Sequence, residues 1–439
     1  MNKQSTAPMD APPSMPPGMP PMPDPSPEAQ AAYDTRWQRI LDCIALKQPD
    51  RMPIAFMTTF WLAKYAGMNC RENMYDYDKL EVAIEKACIE FDPDWMAPIT
   101  EVSGMGRVLE AASFKQLQWP GHGVGDDRPY QYLDAEYMSA DEYDDFLLDP
   151  TGFFLSKYLP RVAGAYDGLQ PLASLVGTTY YGLAFATAMF TDPAMQQAWG
   201  QLSQAGGTAM EFHGRGAMLS HRLKCQGFPY GQFLFAGAPY DVVADYMRGA
   251  KGMMTDLFRH KDKLEEVFDK IKKLAVRDLV MRSQMTGNKV VFIPIHWAPD
   301  AFMSQKQFER FWWPSFREMM IELIDAGLTP MPMWEADCTK RLEVIADIPP
   351  GKCIYWFERT DMKQAFDVLG DVVALRGNVS ASVLNMGTPE EVDAEVKSLV
   401  DNVWNKGGNL ILDTAFGIPD EAKIENVQAM YRAAHKYGG

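Results

Sequence analysis

Between Val290 and Pro419 short apolar runs alternate with longer stretches whose apolar positions recur every three or four residues, and the unit repeats five times. Strand-length apolar runs followed by helix-period stretches predict a parallel sheet covered by helices. Each run ends in a polar or glycine-bearing signature: Ile295-His296-Trp297, Trp334-Glu335-Ala336-Asp337-Cys338, Phe357-Glu358, Leu375-Arg376-Gly377-Asn378 and Leu412-Asp413. In a closed (β/α)8 barrel the carboxyl ends of the strands line the pocket, so titratable groups gathered there predict an enzyme site drawn from several strands.

Upstream, the same reading places a helix at Thr35–Lys47, a first strand at Arg51–Phe56 and helices near Trp61–Ala66 and Tyr77–Glu90. A second strand is expected at Asp94–Ile99. Residues 100–150 are turn-rich and read as an excursion with short strands. Long helices are predicted at Pro193–Lys224 and Lys261–Met285, with a weaker pair between Pro239 and Phe258. Ser304 caps a helix that stops at Gly327, and Thr388-Pro389-Glu390-Glu391 combines a capping box with proline at the first helical position. The expected fold is α/β, a (β/α)8 TIM barrel over 35–439 with an irregular insertion after the second strand. Ten prolines between Pro8 and Pro27, with methionines at 9, 15, 19 and 22, make 1–34 an extended or disordered tail.

Hydrophobic residues are 47% and charged residues 23% of the 439, a globular composition with material for a large core. A net charge of −16 without a basic tract argues against nucleic acid or an anionic membrane as partner. No apolar run approaches the ~20 residues that span a bilayer, and the first residues lack the pattern of a signal peptide. Six scattered cysteines without a CxxC read as free thiols in a reducing compartment, by default the cytoplasm.

Glu335 and Asp337, two apart in an extended segment, fall on one side of it and could bind a divalent metal or hold one carboxyl protonated as an acid. Cys338 could add a soft ligand, while Asp337 could equally cap the next helix. His296 follows a run too apolar for a surface strand and could serve as ligand or acid/base. Glu358 could face the pocket or pair with Arg359, Asp361 reads as a helix cap, and Asp413 is a weaker strand-end candidate. Glu101 and His122, in the irregular region, could complete a zinc site or simply be solvated. Trp297, Trp334, Trp356, Phe357, Phe60, Trp61 and Trp95 cluster at strand ends and could wall an aromatic ligand or pack barrel against helices. No phosphate loop, nucleophile elbow, H-E-x-x-H or dinucleotide fingerprint is present. Gly121-His122-Gly123-Val124-Gly125 is superficially similar to a cobalt-ligating corrinoid loop, but Pro120 stands where that loop has Asp.

Leu375-Arg376-Gly377-Asn378-Val379, Gly387 to Val392, Gly417-Ile418-Pro419 with Glu425-Asn426-Val427, Ala301 to Ser304, Phe308 with Trp313-Pro314, and Pro349 to Lys352 resemble the uroporphyrinogen decarboxylase superfamily. The resemblance runs over roughly 36–439 and is strongest after 290. It implies a TIM barrel and either decarboxylation or methyl transfer with a corrinoid protein. The decarboxylase's arginine-bearing first motif is missing, since the first strand continues Phe56-Met57-Thr58-Thr59-Phe60-Trp61-Leu62. Where thiol-methylating members hold zinc with H-x-C and a later Cys, this chain has Glu335, Asp337 and Phe416. With Arg341-Leu342 downstream, it resembles instead the components that demethylate methoxylated aromatics. The implied reading is a methyltransferase that passes a methyl group from a small aromatic substrate to cobalt(I) of a separate corrinoid protein. Glu335, His296 and Asp337 would form the activating site, zinc is possible, and Asn378 joins the substrate wall. Cobalamin would come with the partner, and a homodimer is possible. The alternative is a lyase decarboxylating a small aromatic or heterocyclic acid.

Overall fold

In a computed structural model describing residues 22–439, eight short parallel strands form the frame. They are β1 (Ala55–Phe56), β2 (Trp95–Met96), β3 (Phe233–Phe235), β4 (Val290–Ile295), β5 (Thr329–Trp334), β6 (Ile354–Phe357), β7 (Ala374–Val379) and β8 (Leu410–Thr414). Strands β3 to β8 pair in sequence order, and β1 pairs with β2. Parallel bridges Ile54–Leu412 and Met96–Tyr230 join that pair to both edges of the larger sheet, which makes the ring of a TIM barrel. Strand β3, preceded by Tyr230-Gly231-Gln232, carries too short an apolar run to stand out in the sequence.

The expected insertion after β2 is present. It holds a small sheet of Leu117–Pro120, Gly123–Val124 and Gln131–Tyr132, and several short helices. The chain returns along the 32-residue helix Pro193–Lys224. The first helix starts earlier than expected, at Pro27, because Ser26 caps it and proline occupies its first turn. Residues 27–34 of the predicted tail are therefore helical. Ile40, Cys43 and Ile44 on this helix join the barrel-interior cluster, and Trp37 meets Trp95 edge-on at 5.6 Å, so the helix plugs one end of the barrel. The predicted cap at Ser304 and the predicted capping box at Thr388 are both formed, and Ser304 completes a capping box with Gln307.

Strand alternation decides which side chains enter the barrel. Val290 and Phe292 of β4, Met331 and Met333 of β5, Ile354 and Trp356 of β6, Ala374 of β7 and Ile411 of β8 share the interior cluster. Their neighbours Val291, Trp334, Tyr355, Leu375 and Leu412 pack under the surrounding helices. Carried one step past the strands, this phase sends His296, Glu335 and Glu358 toward the barrel mouth. Asn378 and Asp413 share it on β7 and β8.

Beneath the mouth lies a charged layer. Arg376 and Asp413 are fully buried, with Nε and Nη2 of the guanidinium donating to Asp413 Oδ2 at 2.9 and 2.6 Å. The guanidinium stacks 4.1 Å from the Trp356 ring and 4.8 Å from that of Trp95. Breaking such a pair strands a charge away from water and costs ~3–5 kcal/mol. Asp413→Ala is therefore expected to lose that much in urea denaturation, while Arg376→Met combined with Asp413→Leu recovers most of it. An unchanged midpoint for the single variant would contradict this account.

Candidate active site at the strand ends

His296 sits immediately after β4. Its backbone N–H donates to Asp241 Oδ2 at 2.7 Å, and its Nδ1 lies 2.6 Å from Asp245 Oδ2. On the other side, Nε2 is 3.4 Å from Glu335 Oε1, an ion-pair distance that can tighten when a ligand enters. Asp241 and Asp245 come from the helical segment after β3, four residues apart and so on one face. Pro239 opens that segment at its first position. Two indoles orient the acids: Trp312 Nε1 donates to Asp241 Oδ1 and Trp297 Nε1 to Asp245 Oδ1, each at 2.7 Å.

Glu335 reaches His296 because the chain turns at Ala336. This residue has φ +53°, in the left-handed region that costs ~1–2 kcal/mol for a side chain with a Cβ. The turn is held from β6: Glu358 Oε2 accepts the Ala336 N–H at 2.5 Å, and the Arg359 N–H donates to Ala336 O at 3.2 Å. The extended geometry assumed for Glu335 and Asp337 therefore ends between them. Asp337 turns away, and its Oδ1 accepts from Thr339 N at 2.8 Å and Thr339 Oγ1 at 2.5 Å, one residue ahead of Cys338, which stands at the N-cap of the next helical turn. Cys338 is buried, its thiol donating to Glu335 O at 3.5 Å, and burial pushes its pKa up, away from a ligating thiolate.

Electrostatics make this a proton-holding site. Burial works against a charge on His296, but the hydrogen bond it donates to Asp245 and the carboxylates of Glu335 and Asp241 prevail and raise its pKa to about 9. Burial raises Glu335 to about 7 against the pull of His296, with Glu358 and Asp241 adding repulsion. Asp241 is likewise raised by burial to about 7. At neutral pH the imidazole carries a proton and Glu335 sits near half-protonation. Side-chain exposures of 34% for His296, 25% for Glu335 and 15% for Asp245 leave the cluster open to a ligand. Cavities of about 370 and 500 Å³ lie elsewhere, against the helices Pro193–Lys224 and Lys261–Thr286. The charged groups, not cavity size, mark the site.

Several expected members are elsewhere. Trp334 faces the helix layer, packed on Trp312 and Tyr355, because it is out of phase with Glu335. Trp356 fills the barrel, its Nε1 donating to Thr414 O at 2.9 Å. Trp61 is buried on Tyr65 and Phe91. Phe60 is nearly buried, 6.1 Å from Tyr130. Asp361 caps its helix through Gln364 N, as expected. Asn378 Nδ2 donates to Thr360 O at 2.8 Å and braces the β6 exit loop. His122 stacks on Trp119 and pairs with Glu110 at 3.7 Å. Glu101 lies on the short helix Thr100–Ser103, and its side chain is outside the described residues.

Among the described residues no three His, Cys, Asp or Glu side chains are arranged to hold a metal ion. Both ring nitrogens of His296 face carboxylates and Asp337 points away, so the set expected for zinc does not fit one in this arrangement. Sequence reading missed Asp241 and Asp245, since β3 was invisible and only an i, i+4 acidic pair after Pro239 marked them. Tyr130 was missed too: burial raises its pKa, and the charges of Asp420 and Glu335 add to that.

Residues 233–437, which contain β3 to β8, match the family model described as uroporphyrinogen decarboxylase (URO-D). A curated protein described as uroporphyrinogen decarboxylase from Syntrophotalea carbinolica is 23% identical over 208 residues, 46% of this chain and 58% of that protein. The chain thus spans just over half of that relative's length. A solved structure of a methyltransferase from Methanosarcina mazei superposes with a TM-score of 0.58 at 15% identity, covering 92% of this chain and 98% of that one. At that identity the likeness is one of fold.

All three raised pKa values act in one direction. A group that binds its proton more tightly when folded contributes stability below its unfolded pKa and loses it as pH rises through the folded value. Stability is therefore expected to decline from about pH 4, where Asp241 and Glu335 give up their protons in the unfolded chain, to about pH 9, where His296 gives up its proton in the folded one. Imidazole NMR should show His296 protonated at pH 7.5, with Asp245→Asn moving its titration down toward the usual range; a His296 titrating near 6.5 in the unaltered protein refutes the assignment. Ala336→Gly should be tolerated within ~1 kcal/mol, because glycine enters the left-handed region freely. Ala336→Val should destabilise the fold and lower the His296 pKa as Glu335 is displaced.

Proposed function

We propose that the chain, whose residues 233–437 match the family model described as uroporphyrinogen decarboxylase, is the demethylating component of a corrinoid-dependent methyltransferase system. Its substrate would be a small, uncharged methyl donor such as a methoxylated aromatic, and its acceptor the cobalt(I) corrinoid of a separate protein. The Asp245–His296–Glu335 chain at the strand ends is the observation that carries this reading.

A methyl aryl ether resists cleavage because a phenolate leaves poorly. Protonation of the ether oxygen as the methyl carbon is attacked lowers that barrier. His296, charged at neutral pH, and Glu335, near half-protonation, are the donors available beside the mouth. The bond between methyl carbon and oxygen breaks, its electron pair stays on oxygen, and the proton from the Glu335–His296 pair neutralises it as the hydroxyl product. The methyl group leaves on the acceptor. Asp245 keeps the ring oriented and charged, and Asp241 fixes the backbone from which the ring hangs. The fold shared with a protein named as a methyltransferase is consistent with this reading.

A lyase acting on a small aromatic or heterocyclic acid is the second reading, favoured by the curated relative's description as a decarboxylase. A proton donor would serve it as well. The carboxylates of Asp241, Asp245 and Glu335 around the imidazole, with Glu358 beside Glu335, however, disfavour an anionic substrate more than a neutral ether.

Incubation of methoxylated aromatics with and without a reduced corrinoid protein tests the assignment. Hydroxylated product is expected only with the acceptor; carbon dioxide released without it establishes the lyase instead. Glu335→Gln and His296→Ala are each expected to lower methyl transfer by ~10²-fold or more, the usual share of general acid catalysis. Asp337→Asn should keep most of the activity. The rate should fall between about pH 7 and about pH 9 as the two donors lose their protons.

A further inference from the structure

The segment that carries Asp245, Val242–Arg248, is wound as a π-helix, whose hydrogen bonds reach back five residues instead of four and which is found mostly at functional sites. It ends at Gly249, φ +68°, so its last carbonyls need partners from elsewhere, as at any helix end. The insertion after β2 supplies them. Tyr132 Oη donates to Asp245 O. Tyr158 Oη donates to Tyr246 O at 2.9 Å, with Gln116 Nε2 beside it at 3.3 Å. The N–H groups of Tyr137 and Met138 both donate to Met247 O, at 2.9 and 2.7 Å. Past the break, Asp134 Oδ1 accepts the Ala250 N–H at 2.9 Å. A Cβ on Gly249 would come within 2.8 Å of Ala135 O, so glycine is what lets the two backbones meet.

What these bonds hold in place is the spacing of the two acids. Asp241 lies just ahead of the π segment and Asp245 within it. Relaxation to the α form, which shortens the reach of each hydrogen bond by one residue, would swing Asp245 around the helix axis relative to Asp241 and away from Nδ1 of His296. The α form would also require Asp245 O to accept the N–H of Gly249, four residues on. That carbonyl is already taken by Tyr132, whose ring meets Tyr246 edge-on at 6.0 Å.

We propose that the insertion after β2 is a positioning element of the site, in which Tyr132 and Tyr158 pin the end of the π-helix and thereby aim Asp245 at His296. Both hydroxyls act through backbone carbonyls and not through the acids themselves, so the two tyrosines are positioning residues. The inference rests on the geometry of the site and holds whichever reaction the site performs.

Two indoles report on the two acids separately, since Trp297 Nε1 donates to Asp245 and Trp312 Nε1 to Asp241. NMR of the full chain carrying isotope-labelled tryptophan therefore tests the proposal without any substrate. Tyr132→Phe combined with Tyr158→Phe is expected to shift the Trp297 indole N–H upfield. Its exchange with solvent should quicken about tenfold or more, as follows from losing a hydrogen bond to a charged acceptor. The Trp312 signal should stay where it is. Should the double variant misfold, Tyr132→Phe alone is expected to move the Trp297 signal in the same direction. Tyr137→Phe, which removes a hydroxyl that donates to Leu133 O within the insertion, should move neither signal. A Trp297 signal that stays put in the folded double variant, moves together with that of Trp312, or moves equally in the Tyr137 variant would overturn the proposal.

Discussion

A guanidinium sealed in a barrel is the constraint around which this molecule is built. Arg376 has no water to solvate it, so Asp413 must supply the counter-charge and Trp95 and Trp356 the flat faces. Met331 Sδ lies 3.1 Å from Nη1, which brings in β5 as well. One side chain thereby organises strands from distant parts of the sequence into a single layer. That layer is a floor: apolar filling and the N-terminal helix lie on one side, and the reactive groups lie on the other.

Above the floor, reactivity follows from crowding. Asp241, Asp245 and Glu335 converge on one imidazole, with Glu358 behind Glu335, and the repulsion among these acids inside a half-buried site is relieved by retaining protons. The same crowding that destabilises the cluster at high pH makes it a donor at neutral pH. Arg341 stiffens the frame without entering it. It donates to Ala298 O at 3.1 Å and Met303 O at 2.7 Å, tying the loop that leaves β4 to the one that leaves β5.

The five apolar runs after Val290 were legible in the sequence, and with them the polar groups at their ends, His296, Glu335 and Glu358 among them. Two things were not. Strand β3 is only three residues long, Phe233-Leu234-Phe235, too short an apolar run to stand out, so the acids that follow it, Asp241 and Asp245, had no strand end to be assigned to. Nor does Ala336 announce a left-handed backbone as glycine would. The separation of Glu335 from Asp337 depends on Glu358 and Arg359, more than twenty residues away, catching that peptide. The aromatics were ambiguous for a related reason. Trp334 and Trp356 look alike at strand ends, and only the phase within each strand separates a helix-facing indole from a barrel-filling one.

The imidazole of His296 is gripped at both nitrogens, by Asp245 on the inner side and Glu335 on the outer. Such a ring cannot flip or choose between tautomers without breaking one of these contacts, so the site has a polarity, an inside and an outside for protons. Of the two carboxylates that grip the ring, the outer one is the more exposed. In the proposed reaction a spent proton would be replenished from the same side by which the substrate arrives. Recharging would then wait for the product to leave, tying readiness for the next turnover to an empty doorway.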